Sequence, residues 1–237
     1  MPESERPTRT ASETRPVRRF AYPVSLELAG RGALVVGELA VAHGKAEALA
    51  DAGAAVTVVA QGPAEVLDRL ERDGRVTVRR RPFAPSDLDG MFLCVASSPD
   101  PAARAALHRE ARARQVLLNV MDDPQHCDFA APAVVRRGDL AIAVSTGGRS
   151  PALASRLREQ LERRYGPEWA ALLDLLAEVR AQTAAALPDV GERIRRWRAA
   201  LRLDALEALL RAGRREEARR RLLDRLPGKA AGGEAGR

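Results

Sequence analysis

Two neighbouring carboxylates, Asp122 and Asp123, follow directly on an apolar run (Val116, Leu117, Leu118, Val120) in the segment NVMDDPQHCDF. Acidic residues at the end of a buried strand stand where open α/β sheets take their ligands, outside the carboxyl ends of the strands. A carboxylate placed there can accept a proton during a reaction. The plain alternative is that Asp122 and Asp123 only cap the turn before Pro124. Further along, Ser145-Thr146-Gly147-Gly148 opens a predicted helix at SPALASRLRE. Backbone N–H groups at such a start seat an anionic group readily, although Ser145 and Thr146 would look the same as ordinary capping residues. Together the two features suggest an enzyme that handles a polyanion.

The remaining polar candidates read more plainly. His126 comes four residues after Asp122 in a loop, and a solvent-facing histidine is a better reading there than an iron ligand or proton shuttle. His43 and His108 fall in predicted helices and read as surface residues. Arg193, Arg195, Arg196 and Arg198 cluster on a late helix, where a solvated face outweighs a substrate clamp.

The elements that must position these residues alternate. Apolar runs at 33–37, 55–60, 75–78, 91–96 and 116–120 read as short strands. Helical stretches at 39–51, 63–72 and 101–114 separate them, and Gly53 is suited to end the first. Such alternation specifies a parallel sheet covered on both faces. The fold class expected is therefore α/β, a Rossmann-like unit over 21–130. Two strands at 133–137 and 140–144, split by Gly138-Asp139, break that rhythm and read as a hairpin within a segment 131–165, one that either reaches a neighbouring subunit or extends the sheet edge antiparallel. A small all-helical domain over 166–226 follows, with breaks at Gly166-Pro167, Leu187-Pro188 and Gly213. Residues 1–20 and 227–237 read as disordered tails.

Composition narrows the partners. The chain has 237 residues and a net charge of +7, from 39 basic against 32 acidic side chains. Lys45 and Lys229 are its two lysines, so nearly all the positive charge is arginine. With the abundant alanine this reads first as composition bias, and second as a preference for anionic partners. Aromatics are scarce and do not interleave with arginine, which argues against a nucleic-acid partner. Cys94 and Cys127, 33 positions apart, form no disulfide framework or zinc set and suit a reducing cytoplasm. No signal-peptide pattern or membrane-length apolar run is evident, so no membrane partner is expected.

The chain resembles the precorrin-2 dehydrogenase/sirohydrochlorin ferrochelatase family, the amino-terminal module of siroheme synthase. The resemblance is carried by Tyr22-Pro23 with Leu26 and Leu28, ALVVG, DAGAAVTVVA, DLDGMFLCVASSPDP, LLNVMDDPQHCDF and STGGRSPALASRLRE, with GERIRRWR later. It extends from about residue 21 to 225. It implies NAD-dependent oxidation of precorrin-2 to sirohydrochlorin, ferrous iron as a further substrate in chelatase members, a homodimer, and a tetrapyrrole with eight carboxylates. It also implies that Asp122 is the acid/base residue of the reaction. Gly37, Ala40, Val41, Ala42, Gln61 and Gly62 fall where the family meets the dinucleotide. Ser145, Thr146, Gly147 and Gly148 match the stretch facing the substrate, and no resident metal is implied.

One stretch departs from the family. Where it shows GGGxVAxxK, this chain has Gly37-Glu38-Leu39-Ala40-Val41-Ala42-His43-Gly44-Lys45. Leu39 would crowd a pyrophosphate, and Glu38 would repel it at a helix start that otherwise welcomes phosphate. Gln61-Gly62-Pro63 brings no acidic ribose clamp and reads equally as an ordinary turn. A rival reading is thus a member that has lost NAD binding and acts as a chelatase or tetrapyrrole carrier.

Overall fold

The computed structural model describes residues 19–37, 40–61 and 65–226. Five strands, β1 (Gly32–Val36), β2 (Ala55–Ala60), β3 (Val76–Arg80), β4 (Met91–Ala96) and β5 (Leu117–Val120), form one parallel sheet in the order β3-β2-β1-β4-β5. Successive side chains of a strand point to opposite faces, and here both faces are covered. Val35 and Val58 join Leu67 and Leu70 in one core, while Leu34, Val59, Cys94 and Leu118 join Leu107 in the other. Strands buried on both sides are apolar throughout, as β1 and β4 are, whereas the edge strand β3 leaves Thr77, Arg79 and Arg80 exposed.

The crossovers are α1 (Ala40–Asp51), α2 (Glu65–Arg72) and α3 (Pro101–Ala113). Gly53 ends α1 with φ +81, and the Asp100 carboxylate caps α3 by accepting from the Ala102 amide at 2.9 Å. Between β3 and β4 the wholly buried carboxylate of Asp87 accepts from Arg79 at 2.6 Å, Arg81 at 2.8 Å and the Ala84 amide at 2.9 Å. Burial without those donors would cost several kcal/mol.

A second group of elements begins with the antiparallel ribbon β6 (Ala133–Arg137) and β7 (Leu140–Val144), turning at Gly138 with φ +58. Helices α4 (Pro151–Arg164), α5 (Glu168–Thr183), α6 (Val190–Ala200), α7 (Leu203–Arg211) and α8 (Arg215–Leu223) follow. Leu172, Leu175, Val179, Leu206 and Leu222 form their core, and Arg164 pairs both oxygens of the buried Glu207 at 3.0 Å. The chain forms two compact units, the described parts of Met1–Ala131 with Gly147–Arg149, and of Pro132–Thr146 with Ser150–Arg237. The expected helix breaks at 166–167, 187–188 and 213 are present; a further one after Ala200 carries no glycine or proline. There the Arg202 amide turns back to the Ala200 carbonyl at 2.8 Å, and Leu206 and Leu209 enter the core. Among the described residues no helix is long and apolar enough to cross a membrane.

Two expectations about histidine are corrected. His43 is buried, 7% exposed, with its Nε2 unpartnered, and burial pushes its pKa down. The sequence offered no cue, because the apolar residues of α1, mostly alanine, lie all round the helix and mark no inner face. His126 is not a freely solvated loop residue: its Nδ1 lies 2.8 Å from the Asp123 carboxylate, and its ring packs edge-on against His108. Of the late arginines, Arg193 donates to the Leu187 carbonyl and Arg196 to Glu192, while Arg195 and Arg198 are exposed.

Candidate functional site

Strand order fixes where a ligand can enter. The chain runs outward from β1 to β2 and β3, then returns to place β4 on the other side of β1. The crevice at that reversal, beyond the carboxyl ends of β1 and β4, is the binding position of open α/β sheets. Gly37 leaves β1 there at φ +127, with its amide donating to the Val59 carbonyl at 3.0 Å. The Ser97 amide, just past β4, donates to the Val36 carbonyl at 2.8 Å. A Cβ on Gly37 would come within 2.5 Å of both the carbonyl and hydroxyl oxygens of Ser97. Only glycine fits that approach.

The helix that follows begins at Ala40, so the first-turn amides of Ala40, Val41 and Ala42 point out of an end that no acidic residue of α1 blocks. That arrangement fits the diphosphate of a dinucleotide. Gln61 lies exposed just after β2. Glu38, Leu39 and Gly62 lie outside the described residues.

The rim beside the crevice is built by the loop after β5. The Met121 amide continues the pairing to the Ala96 carbonyl at 2.8 Å, and the next residue, Asp122, turns into the left-handed region at φ +59. Left-handed backbone is uncommon for any residue but glycine, and among side chains Asp and Asn tolerate it best. Asp122 is exposed, and among the described residues its carboxylate meets no hydrogen-bond donor or ion-pair partner. It therefore does not cap the turn before Pro124. Asp123 behaves differently: it accepts from Arg104 Nε at 2.8 Å and from His126, and its pKa is lowered first by His126 and then by Arg104. Arg104 and the thiol of Cys127 were not singled out from the sequence. The Arg104–Asp123 pair bridges 19 positions, and no spacing rule marks it.

Gly147 and Gly148 adopt φ +61 and +79. The helix cap of α4 is Ser150, whose Oγ accepts from the Leu153 amide at 3.2 Å. Thr146 closes the turn from behind, its Oγ1 accepting from the Ser150 amide at 3.2 Å and donating to the Ser150 carbonyl at 3.1 Å. Its hydroxyl is thus committed to the turn, whereas the Gly148 amide has no partner among the described residues. No group of three or more His, Cys, Asp or Glu that could hold a metal ion occurs among the described residues.

Comparisons with known proteins agree on a family. Residues 24–133 match the family described as putative NAD(P)-binding, and residues 137–164 match the one described as sirohaem biosynthesis protein central. A siroheme synthase of Methylococcus capsulatus is 38% identical over 85% of this chain and 42% of its own length. One from Azotobacter vinelandii is 38% identical over 88% of this chain and 45% of its own, and one from Pseudomonas entomophila 41% over 74% and 38%. The chain thus spans about two fifths of the length of these curated relatives. Among solved structures, SirC, a precorrin-2 dehydrogenase, matches with a TM-score of 0.66 and 26% identity, covering 86% of this chain and 99% of that one.

Proposed function

The chain belongs to the precorrin-2 dehydrogenase/sirohydrochlorin ferrochelatase family, that of the amino-terminal module of siroheme synthase, and from that premise we propose that it oxidises precorrin-2 to sirohydrochlorin with NAD. The observation that carries the reading is the Asp122 carboxylate, unpartnered and exposed at the rim of the nucleotide-type crevice. Oxidation of the macrocycle removes a hydride and a proton. NAD, when bound, supplies the hydride acceptor. Gly37 and the amides of Ala40, Val41 and Ala42 would hold its diphosphate, with Gln61 and Gly62 toward the ribose. Asp122 takes the proton, because a carboxylate with no internal donor is free to accept one. The Gly147-Gly148 turn, braced by Thr146, seats a peripheral carboxylate of the substrate at the Gly148 amide, and the chain's arginine surplus favours approach of that anion. In chelatase turnover, with ferrous iron as substrate, the same carboxylate would accept displaced pyrrole protons.

The working form is a homodimer joined through 131–165 in a reducing cytoplasm, which suits two free cysteines. Purified protein supplied with precorrin-2 and NAD should generate NADH absorbance, and Asp122→Ala should abolish it. Full turnover in that variant would remove Asp122 from the reaction. The rival, a chelatase or carrier without NAD, rests on Glu38 and Leu39. Calorimetry separates the two readings, since micromolar NAD binding ends the rival and its absence ends the dehydrogenase.

A further inference from the structure

Adjacent aspartates at the same rim have opposite surroundings. Asp122 has no internal partner, whereas the Asp123 side chain is 15% exposed and its Oδ2 receives two donors, Arg104 Nε and His126 Nδ1, each at 2.8 Å. Arg104 stands on α3 and also donates to the Ser98 carbonyl at 2.8 Å, so Asp123 ties the loop after β5 to the loop after β4. His126 is in turn backed by the edge of His108, with ring centroids 5.1 Å apart.

The Cys127 sulfur grips the chain on either side of Asp122. It accepts from the Val120 amide at 3.1 Å and lies 3.2 Å from the carbonyls of Val120 and Asp123. Arg19 adds a further hold by donating to the carbonyls of Pro124 and Cys127. The residues on either side of Asp122 are thus fastened, whereas its own carboxylate is not, and Asp122 is the residue in the left-handed conformation. Strained backbone persists where its surroundings over-determine it.

We propose that Asp123, together with Arg104 and His126, is a positioning cluster that holds Asp122 left-handed with its carboxylate turned to the substrate. Asp123 then exchanges no proton with the macrocycle; its Oδ2 is taken by two donors and its charge is matched. The proposal rests on the dehydrogenase reading for its kinetic consequence, but its structural consequence can be read separately.

The test uses the full chain with Arg104→Gln, because Arg104 reaches Asp122 only through Asp123. Met121-Asp122 is the chain's one Met-Asp pair, so labelling methionine carbonyl carbon and aspartate nitrogen isolates the Asp122 amide resonance. In R104Q that resonance should move or broaden. kcat should fall about 10²-fold, as expected for a displaced reacting group, with the KM for NAD within a factor of about two, and R104K should recover part of the loss. His126→Gln carries the same readouts should R104Q fail to fold. An unmoved resonance overturns the proposal, whether kcat is unchanged or falls; a fall alone would make the cluster act on substrate directly. If wild-type protein fails to oxidise precorrin-2 yet R104Q still moves the resonance, the positioning role stands and the dehydrogenase reading fails.

Discussion

A methyl group at position 37 has nowhere to go. Its carbon would press within 2.5 Å of two Ser97 oxygens, and φ +127 is closed to residues with a side chain. Gly37→Ala should therefore destabilise the protein by about 2 kcal/mol, within the range for backbone-incompatible substitutions, and weaken NAD binding with it. Urea unfolding with parallel calorimetry checks both, and a stable, fully binding variant would contradict the geometry. Asp87 gives the second residue-scale prediction. Arg81, with the Ala84 amide and Arg79, lowers its pKa to about 2. A depressed carboxylate contributes stability above its unfolded pKa near 4 and loses it as pH falls through the folded value. Stability should thus drop by roughly 2 kcal/mol between pH 5 and pH 2 on account of this group. Asp87→Asn should lack that increment, as read from unfolding midpoints across the interval; the same slope in both proteins would rule it out.

At the scale of elements, α1 carries a glycine that the fold does not require. Gly44 lies exposed in mid-helix with nothing within 4 Å of a built Cβ. Gly44→Ala should add about 0.5–1 kcal/mol by restricting the unfolded chain and favouring helix; an unchanged urea midpoint would count against it. The same helix shows what a sequence conveys. Its span, the strands of the sheet and both ribbon strands, 133–137 and 140–144, follow from runs and alternation that local backbone preference enforces. The break after Ala200 does not, because the helices there turn to bury Leu206 and Leu209 rather than at a breaker residue. The site divides in the same way. Asp122 and Gly37 are marked by their place at strand ends, a local property. The Arg104–Asp123 pair exists only once α3 lies beside β5, and Cys127 looks like any half-buried thiol until its bonds to Val120 are seen. Asp123 and His126 share a loop, yet their spacing of three residues carries no meaning outside a helix, so the pair was legible only in coordinates.

At the scale of the molecule, the ribbon bears on how many chains work together. Two strands alone are marginal in water, and β6–β7 has no third strand among the described residues. It packs with α4, whose Ala154 is buried while Leu153 and Leu157 are 51% and 36% exposed. Positions four apart share a helix face, so these leucines form one apolar stripe that a single chain leaves wet. A homodimer through 131–165 would cover it. Wild-type protein should sediment at twice 25.6 kDa. The double variant Leu153→Asp, Leu157→Asp should sediment as a monomer, with little loss of melting temperature because neither side chain is core. Gly37 and α1 belong to the other unit, so NAD affinity should survive in that monomer. A wild-type monomer, or a double variant that still dimerises, would place the contact elsewhere.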